Sequence, residues 1–206
     1  VALDLCGLQL AQVEVELNTL EQDFSAIEKI VFANASLTER LENTGILTEG
    51  IAWDHAVIGV VGRASGIDRD LRRDRPFAAY DVLQPKVALY RYGDVRARMR
   101  VRLDEIHESI RLIREVRRGL PLGRLVTRPM HEAQPGVWAL SAVEGWRGEI
   151  LYVVMAGDAG RIHRCKVRDP SFVNWPAIQS AALGNIVTAF PLINKSFNLS
   201  YAGNDL

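Results

Sequence analysis

Cysteine is scarce in this sequence of 206 residues, which contains only Cys6 and Cys165 and no Cys-x-x-Cys pair. Metal–sulfur clusters and structural zinc sites need several thiolates at short spacings, so no such site is expected within this chain alone. Two distant cysteines also indicate a reducing compartment rather than a disulfide framework. The four histidines lack the spacings of a helical metal site, which favours surface or structural roles for them.

An excess of charge of one sign is also lacking, because 25 basic residues balance 25 acidic residues. A neutral chain has no long-range attraction for nucleic acid or an anionic membrane, so neither is expected as a direct partner. Arginine supplies 21 of the basic residues and lysine only 4. Genomic base composition is one explanation of this excess of arginine over lysine. The other is ion pairing at subunit interfaces, where the planar guanidinium binds carboxylates bidentately.

Long apolar runs are missing as well. A helix that crosses a bilayer needs roughly 20 apolar residues, and the run from Ala56 to Val61 is far too short. Any association with a membrane is therefore expected to go through partner proteins. The sequence opens on Val1 rather than methionine, which indicates a fragment or a processed product. No repeat or linker divides residues 1–206, so we expect a single domain.

Apolar spacing predicts a long first helix. Its stripe alternates steps of three and four residues and consists of Leu10, Val13, Leu17, Leu20, Phe24, Ile27 and Val31. A coiled-coil seam has the same spacing, but the polar flanks favour a helix packed in the core. Ser36 to Glu39 is typical of a capping box that opens a short second helix, and Asp54 is expected to cap a third.

The second half of the sequence contains one more long helical pattern, after which apolar residues alternate with the period of strands. Asp94 is predicted to cap the longest remaining helix, which Gly119 to Pro121 stop. Two strands, Glu149 to Ala156 and Arg161 to Val167, are predicted around a hairpin turn. A last helix is expected from about Pro176 to Val187, and the tail shows no period. The predicted class is mainly α (α+β): a multi-helix fold with a small antiparallel β hairpin or sheet.

Four blocks carry a family resemblance. The first consists of Gly62 to Ile67 (GRASGI), Asp70 to Arg72 (DLR), Pro76-Phe77 and Tyr80-Asp81. The second consists of Gly93-Asp94, Arg98, Arg102, Glu105, Ser109 and Leu120 to Gly123 (LPLG). The third and fourth are Val143 to Glu149 (VEGWRGE) and Arg164 to Phe172 (RCKVRDPSF).

In this order and over nearly the whole chain, the blocks resemble the large-subunit family of nickel–iron hydrogenases and of respiratory complex I, where it is the forty-nine-kilodalton subunit. The resemblance implies the hydrogenase-large-subunit fold, and it implies that residues 1–206 are the C-terminal part of a longer large subunit. Trp175 and the run Phe190 to Ile193 (FPLI) favour the branch that is similar to formate hydrogenlyase and hydrogenase-4.

The end of the chain departs from the hydrogenase pattern. An active hydrogenase would present Asp-Pro-Cys-x-x-Cys here, two thiolates that help to hold nickel and iron. In this sequence Ser200 and Gly203 occupy the two cysteine positions, and no cysteine follows Cys165. A hydroxyl replaces a soft thiolate poorly, and glycine has no side chain. The resemblance therefore implies a chain that binds no cofactor of its own, with a nickel–iron centre not expected.

The resemblance also points to a cavity between this subunit and an iron–sulfur small subunit, a cavity that takes quinone in complex I. The candidates for its wall or for the adjoining interface are Arg63, Asp70, Arg72, Glu144, Arg147, Glu149, Arg164 and Arg168. An arginine fixed there would stabilise a reduced, more negative state electrostatically. Salt bridges that only orient the loops explain the same residues equally well.

The leading functional interpretation is a nickel-free oxidoreductase subunit of a complex I-related assembly, NADH dehydrogenase-like or formate hydrogenlyase-like, and inert in isolation. The implied partners are an iron–sulfur small subunit that carries the cluster, an accessory thirty-kilodalton-type subunit and antiporter-like membrane subunits. They would hold the protein peripherally on the cytoplasmic, inner face of the membrane. Two alternatives stay open: an active energy-converting hydrogenase, and a structural assembly module with a decayed active site.

Overall fold

Helices dominate the computed structural model, which describes residues 7–120 and 133–205. The first range contains α1 (Gly7–Ala33), α2 (Ala35–Leu41), α3 (Glu49–Asp54), α4 (Gly59–Ala64), α5 (Leu71–Asp74), α6 (Tyr80–Leu83) and α7 (Val95–Arg118). The second contains β1 (Trp138–Gly145), β2 (Gly148–Ala156), β3 (Ile162–Arg168), α8 (Pro170–Asn174), α9 (Ala177–Ala182), α10 (Phe190–Phe197) and α11 (Tyr201–Asn204). The predicted class, mainly helical with a small antiparallel sheet, is confirmed. Cys6 and the run from Pro121 to Gly123 lie outside the described residues.

Polar caps set where the helices begin. Asp94 caps α7 as predicted, since its Oδ1 accepts a hydrogen bond from the N–H of Ala97 at 2.7 Å. The capping box predicted at Ser36 is wrong, because α2 already begins after Asn34, whose Oδ1 accepts from the N–H of Leu37 at 3.0 Å. The cap predicted at Asp54 is also wrong: Thr48 caps α3, and Asp54 is its last residue.

The C-terminal region is more helical than its sequence predicts. The helix expected to run to Val187 ends at Ala182, and Gly184 follows with a φ of +75°. The tail that shows no period forms α10 and α11. Two turns of helix are too short for a hydrophobic period to be recognised, and α10 buries only Ile193 and Phe197. Left-handed Asn198 ends α10.

The sheet has three antiparallel strands in the order β1-β2-β3, one more than predicted. The pairing of β1 with β2 runs from Trp138 opposite Met155 to Gly145 opposite Gly148. The sequence gives little sign of β1, because its first half is exposed on both faces and does not alternate. The register places Glu144 directly opposite Glu149, on the face that meets the helices.

The core lies between α7, α4, α9 and α10. Its buried residues include Leu47, Val57, Val61, Val95, Ile178, Ile193 and Phe197. A second cluster joins α4 to α7 through Val60, Ala64, Ala97 and Val101. The core position predicted for α1 is wrong: Leu17 is its only buried residue from Gln9 onward, and Leu20 and Ile27 of its stripe are half exposed.

None of the helices in residues 7–120 and 133–205 combines the length and the apolar character that crossing a membrane requires.

Two glycines fix the turn between β1 and β2 against the start of α4. Gly59 has a φ of +66°, and a Cβ there would lie 2.1 Å from the carbonyl oxygen of Arg147 and 2.4 Å from the Cα of Gly148. Only glycine permits both this backbone angle and this approach. The turn that carries Arg147 therefore rests directly on the backbone of α4.

This contact predicts a large cost for Gly59→Ala. Strain at positive φ and overpacking each cost about 1–3 kcal/mol, so we expect the free energy of unfolding to fall by more than about 2 kcal/mol. Gly50→Ala is the matched control, because nothing lies within 4 Å of a Cβ there. Denaturant unfolding followed by circular dichroism measures both variants. Equal, small effects would contradict the close approach.

Candidate functional site

Carboxylates from three other parts of the chain lie around one buried arginine. Arg63 of α4 is 1% exposed. Its Nη1 lies 2.9 Å from Glu144 of β1 and 3.5 Å from Asp70, and its Nη2 lies 2.5 Å from Glu105 of α7. Burial alone would lower the pKa of this guanidinium, but the three carboxylates raise it and hold it charged. With Arg72, these residues are the Arg63 cluster.

Arg72 closes the cluster from the start of α5. Its Nε and Nη2 bind the two oxygens of Asp70 at 3.0 and 2.6 Å. Burial opposes ionisation of Asp70, but the hydrogen bonds from Arg72 and the charge of Arg63 lower the pKa of Asp70 below its usual value. Glu144 differs, because its burial outweighs Arg63 and raises the pKa of Glu144.

A second group lies across the strand pair from Glu144. Glu149 accepts hydrogen bonds from Arg69, at 3.1 Å, and from Arg168 of β3. Like charges directly opposite each other on paired strands repel. Each of these two glutamates therefore has its own arginine partners, which allows both to stand on the same face of the sheet.

Most of the residues predicted from the sequence thus belong to a brace between loops and helices. Arg63, Asp70, Arg72 and Glu144 come together in one cluster, and Glu149 pairs with Arg168; their place in a cavity wall stays a prediction. Sequence reasoning missed Glu105 as a site residue, although it lies in the second block of the resemblance. Its role depends on an ion pair with a residue 42 positions away, which no local spacing reveals. Arg164 joins neither group and is exposed on β3.

Arg147 stands apart from the carboxylate clusters. Its guanidinium lies over the ring of Trp146, 4.4 Å from the centroid, and its Nε donates to the carbonyl of Asn198 at 2.6 Å. Arg102 of α7 binds the neighbouring carbonyl of Phe197 at 3.2 Å. Within the described ranges, neither arginine has a carboxylate at ion-pair distance. Two positive charges therefore meet at the end of α10.

The positions where the resemblance would place nickel ligands do not fit a nickel–iron centre. Ser200 uses its Oγ to cap α11 by accepting from the N–H of Gly203 at 3.0 Å. A Cβ on Gly203 would lie 2.6 Å from Cγ of Asp169, so this position is closely packed. Across residues 7–120 and 133–205, no three histidine, cysteine or acidic side chains are grouped to hold a metal. The nearest available thiol in sequence, Cys165, is exposed on β3.

A comparison with known protein families identifies the family of this chain. The chain matches the family described as respiratory-chain NADH dehydrogenase, 49 Kd subunit, over residues 1–136 and 129–205. It belongs to this 49-kDa subunit family. The resemblance seen in the sequence is confirmed.

Curated relatives come from both branches of the family resemblance. The carbon monoxide-induced hydrogenase of Rhodospirillum rubrum is 34% identical over 80% of this chain and 45% of its own length. Formate hydrogenlyase subunit 5 of Escherichia coli is 28% identical over 98% of this chain and 35% of its own length. An NADH-quinone oxidoreductase subunit of Clostridium beijerinckii is 29% identical over 91% of this chain and 51% of its own length. The chain thus spans between about a third and a half of these 49-kDa-type relatives.

A solved structure shares the fold of this family member. It is that of an archaeal respiratory membrane complex, the membrane-bound sulfane sulfur reductase, and it superimposes with a TM-score of 0.87 at 23% identity. The match covers 97% of this chain and 56% of the other. At this level of identity the likeness establishes the fold alone.

The Arg63 cluster predicts a pH-dependent cost for Arg63→Gln. Removing one partner of a buried ion pair costs about 3–5 kcal/mol, which we expect in the free energy of unfolding at pH 7. Asp70, with its lowered pKa, contributes its full stability at both pH 7 and pH 5, because that contribution is lost only as the pH falls through the lowered value. Glu144 already has a raised pKa, and the loss of Arg63 raises that pKa further. In the variant, carboxylates that have lost Arg63 take up protons more readily. The difference in the free energy of unfolding between wild type and variant should therefore shrink from pH 7 to pH 5.

Arg69→Gln is the matched control for this measurement, since Arg69 is 55% exposed and also binds a glutamate. We expect it to cost less than about 1 kcal/mol. Urea unfolding of both variants at the two pH values gives the comparison. A deficit for Arg63→Gln that is small or independent of pH would contradict the assignment.

The contact between Gly203 and Asp169 predicts non-additive substitutions. Asp169 Oδ1 caps α8 by accepting from the N–H of Ser171 at 2.7 Å. Gly203→Ala should displace that carboxylate and cost about 1–3 kcal/mol, and Asp169→Ala should cost about 1 kcal/mol. Because the second change removes the atoms that clash, the double variant should lose less than the sum. Additive unfolding free energies in the four-protein cycle would rule out the close contact.

Proposed function

We propose that this chain is the C-terminal part of a 49-kDa-type subunit in a membrane-associated, complex I-related oxidoreductase. In this proposal it forms one wall of a quinone-binding cavity with an iron–sulfur small subunit, and it holds no nickel. An accessory thirty-kilodalton-type subunit and antiporter-like membrane subunits complete the assembly on the cytoplasmic, inner face of the membrane. The names of the relatives, among them an NADH-quinone oxidoreductase subunit, support this kind of assembly.

One observation carries the proposal. Arg147 lies on a turn held against α4, and it binds the backbone two residues before Ser200, where the resemblance would place a metal ligand. Its charge faces no carboxylate of the described chain. A fixed cation without a counter-ion stabilises negative charge that develops on an electron acceptor nearby. The Arg63 cluster, whose central guanidinium is already paired with three carboxylates, would position the same turn through Glu144.

The residues at the two ligand positions do not suit nickel. A nickel–iron centre would supply hydrogen activation through thiolate-bound metal. Ser200 is engaged as a helix cap, and Gly203 packs against Asp169, so neither position offers a ligand. An active hydrogenase is the second candidate, because the relative from Rhodospirillum rubrum carries that name at 34% identity.

The test uses the full-length subunit purified with its copurifying partners from its source organism. We expect nickel well below one equivalent per subunit by mass spectrometry, together with quinone reduction. Arg147→Ala should lower turnover per assembled complex by about 10–100-fold, and Arg147→Lys should lower it less, because a positive charge remains. The matched control is Arg164→Ala, an exposed arginine that should leave turnover unchanged.

Each outcome separates the candidates. Stoichiometric nickel with hydrogen turnover would identify a hydrogenase. An assembled complex that reduces no quinone would favour a structural module. Equal turnover for Arg147→Ala and Arg164→Ala would remove Arg147 from the site.

A further inference from the structure

A groove between α7 and α10 combines an apolar floor with a basic end. It encloses about 300 Å³. Leu41, Val95, Met99 and Leu192 form its apolar walls, and Arg102 and Lys195 supply its charged side chains. The residues on α7 recur at spacings of four and three, so one face of this helix lines the groove.

The positive charge of the groove has no counter-ion within the described residues. Arg102 donates only to carbonyl oxygens, those of Arg98 at 3.1 Å and of Phe197 at 3.2 Å. Its Nε is buried and has no hydrogen-bond partner in the described chain. Burial lowers the pKa of Arg102 to about 10; the charge of Glu105 opposes this shift in part, and the charge of Arg147 adds to it. Lys195 is exposed and forms no ion pair within residues 7–120 and 133–205.

The nearby acidic residues are already engaged. Glu105, one turn along α7 from Arg102, lies 2.5 Å from Arg63. Glu42, next to Leu41, pairs with Arg96. Beneath the groove, buried Arg98 binds only neutral oxygens, the carbonyls of Gly93 and Gly45 and the hydroxyl of Ser196. Arg98 is therefore satisfied within the chain, and the charge of Asp94 acts on it. Arg102 has no such carboxylate at ion-pair distance in the described chain, and because a buried unpaired cation is costly, a carboxylate from elsewhere would stabilise it.

We propose that this groove receives an acidic side chain on an apolar polypeptide segment that lies outside these 206 residues in the assembled enzyme. The apolar floor matches the flanks of such a segment, and the two cations match its carboxylate. A volume of about 300 Å³ is at the lower limit of small-molecule pockets. The chain spans 35–51% of the three relatives named above, so those proteins contain further polypeptide from which such a segment could come. The inference rests on the proposed function only in requiring an assembled complex.

A zero-length carbodiimide cross-link tests this occupant directly. The reagent activates a carboxylate, and a lysine amine in contact with it displaces the urea by-product and forms an amide bond. Lys195 is one of only 4 lysines in the chain, so its products are readily identified by peptide mass spectrometry. In the purified complex we expect Lys195 to be joined to an aspartate or glutamate from outside residues 1–206.

Three results would overturn the proposal. A fatty-acyl mass on Lys195 would identify an amphipathic small molecule as the occupant. A link only to a carboxylate within the 206 residues would show that the chain supplies its own counter-ion. Lys195 left unlinked, while other cross-links form in the same complex, would show that no carboxylate reaches the groove.

Lys195→Glu provides a second measurement, because it reverses the charge without removing any hydrogen bond of the described chain. We expect its recovery in the complex to fall about tenfold, since like charges at an interface are strongly unfavourable. Lys195→Gln should show a smaller fall. Lys29→Glu, an exposed lysine on α1, is the matched control and should assemble normally. Circular dichroism of each variant separates lost assembly from lost folding.

Normal recovery of Lys195→Glu would count against the groove as an interface. Failure of this proposal is distinct from failure of the proposed function. A complex that assembles and reduces quinone without a Lys195 link would refute only the inference about the groove.

Discussion

The fold depends on the burial of Arg63, because the charge of this guanidinium is withdrawn from water and three carboxylates from other parts of the chain compensate it. Those carboxylates come from the loop before α5, from α7 and from β1, so the arginine joins segments as far as 81 positions apart. Without Arg63, these three carboxylates would face Arg72 alone in a buried region, at a cost of about 3–5 kcal/mol. The sheet is therefore docked on the helices by charge as much as by apolar packing.

That docking determines where the next arginine stands. Glu144, held by Arg63, is followed at once by the turn that rests on Gly59, and this turn presents Arg147 to the carbonyl of Asn198. Because Glu144 and Arg147 are close in sequence, the ion pair that fixes Glu144 also fixes the position of Arg147, a cation without a carboxylate partner in the described chain. This explains why the structural glutamates Glu144 and Glu149 and the unpaired Arg147 lie in one short block of sequence.

The sequence predicted the parts of this arrangement that are encoded locally. Asp94 as a cap and the strands β2 and β3 follow from short patterns, and the charged blocks were identified as candidates. Three features escaped prediction. Strand β1 is exposed and barely alternates, α10 is too short to show a period, and Asn34 precedes a more familiar capping pattern at Ser36. Glu105 and Arg102 were missed as site residues because their partners lie 42 and 95 positions away, and pairing at such distances is a property of the fold.

The arginines around the first half of α7 and the end of α10 divide into two electrostatic classes. Arg63 and Arg72 face carboxylates, which neutralise them, whereas Arg98, Arg102 and Arg147 are held by carbonyl and hydroxyl oxygens. Such dipoles fix the orientation of a guanidinium but leave its net charge in place, and in a partly buried region that charge is weakly screened. Neither Ser200 nor Gly203 carries a charge, so the residues that follow α10 at these positions leave the positive field of the three arginines in place.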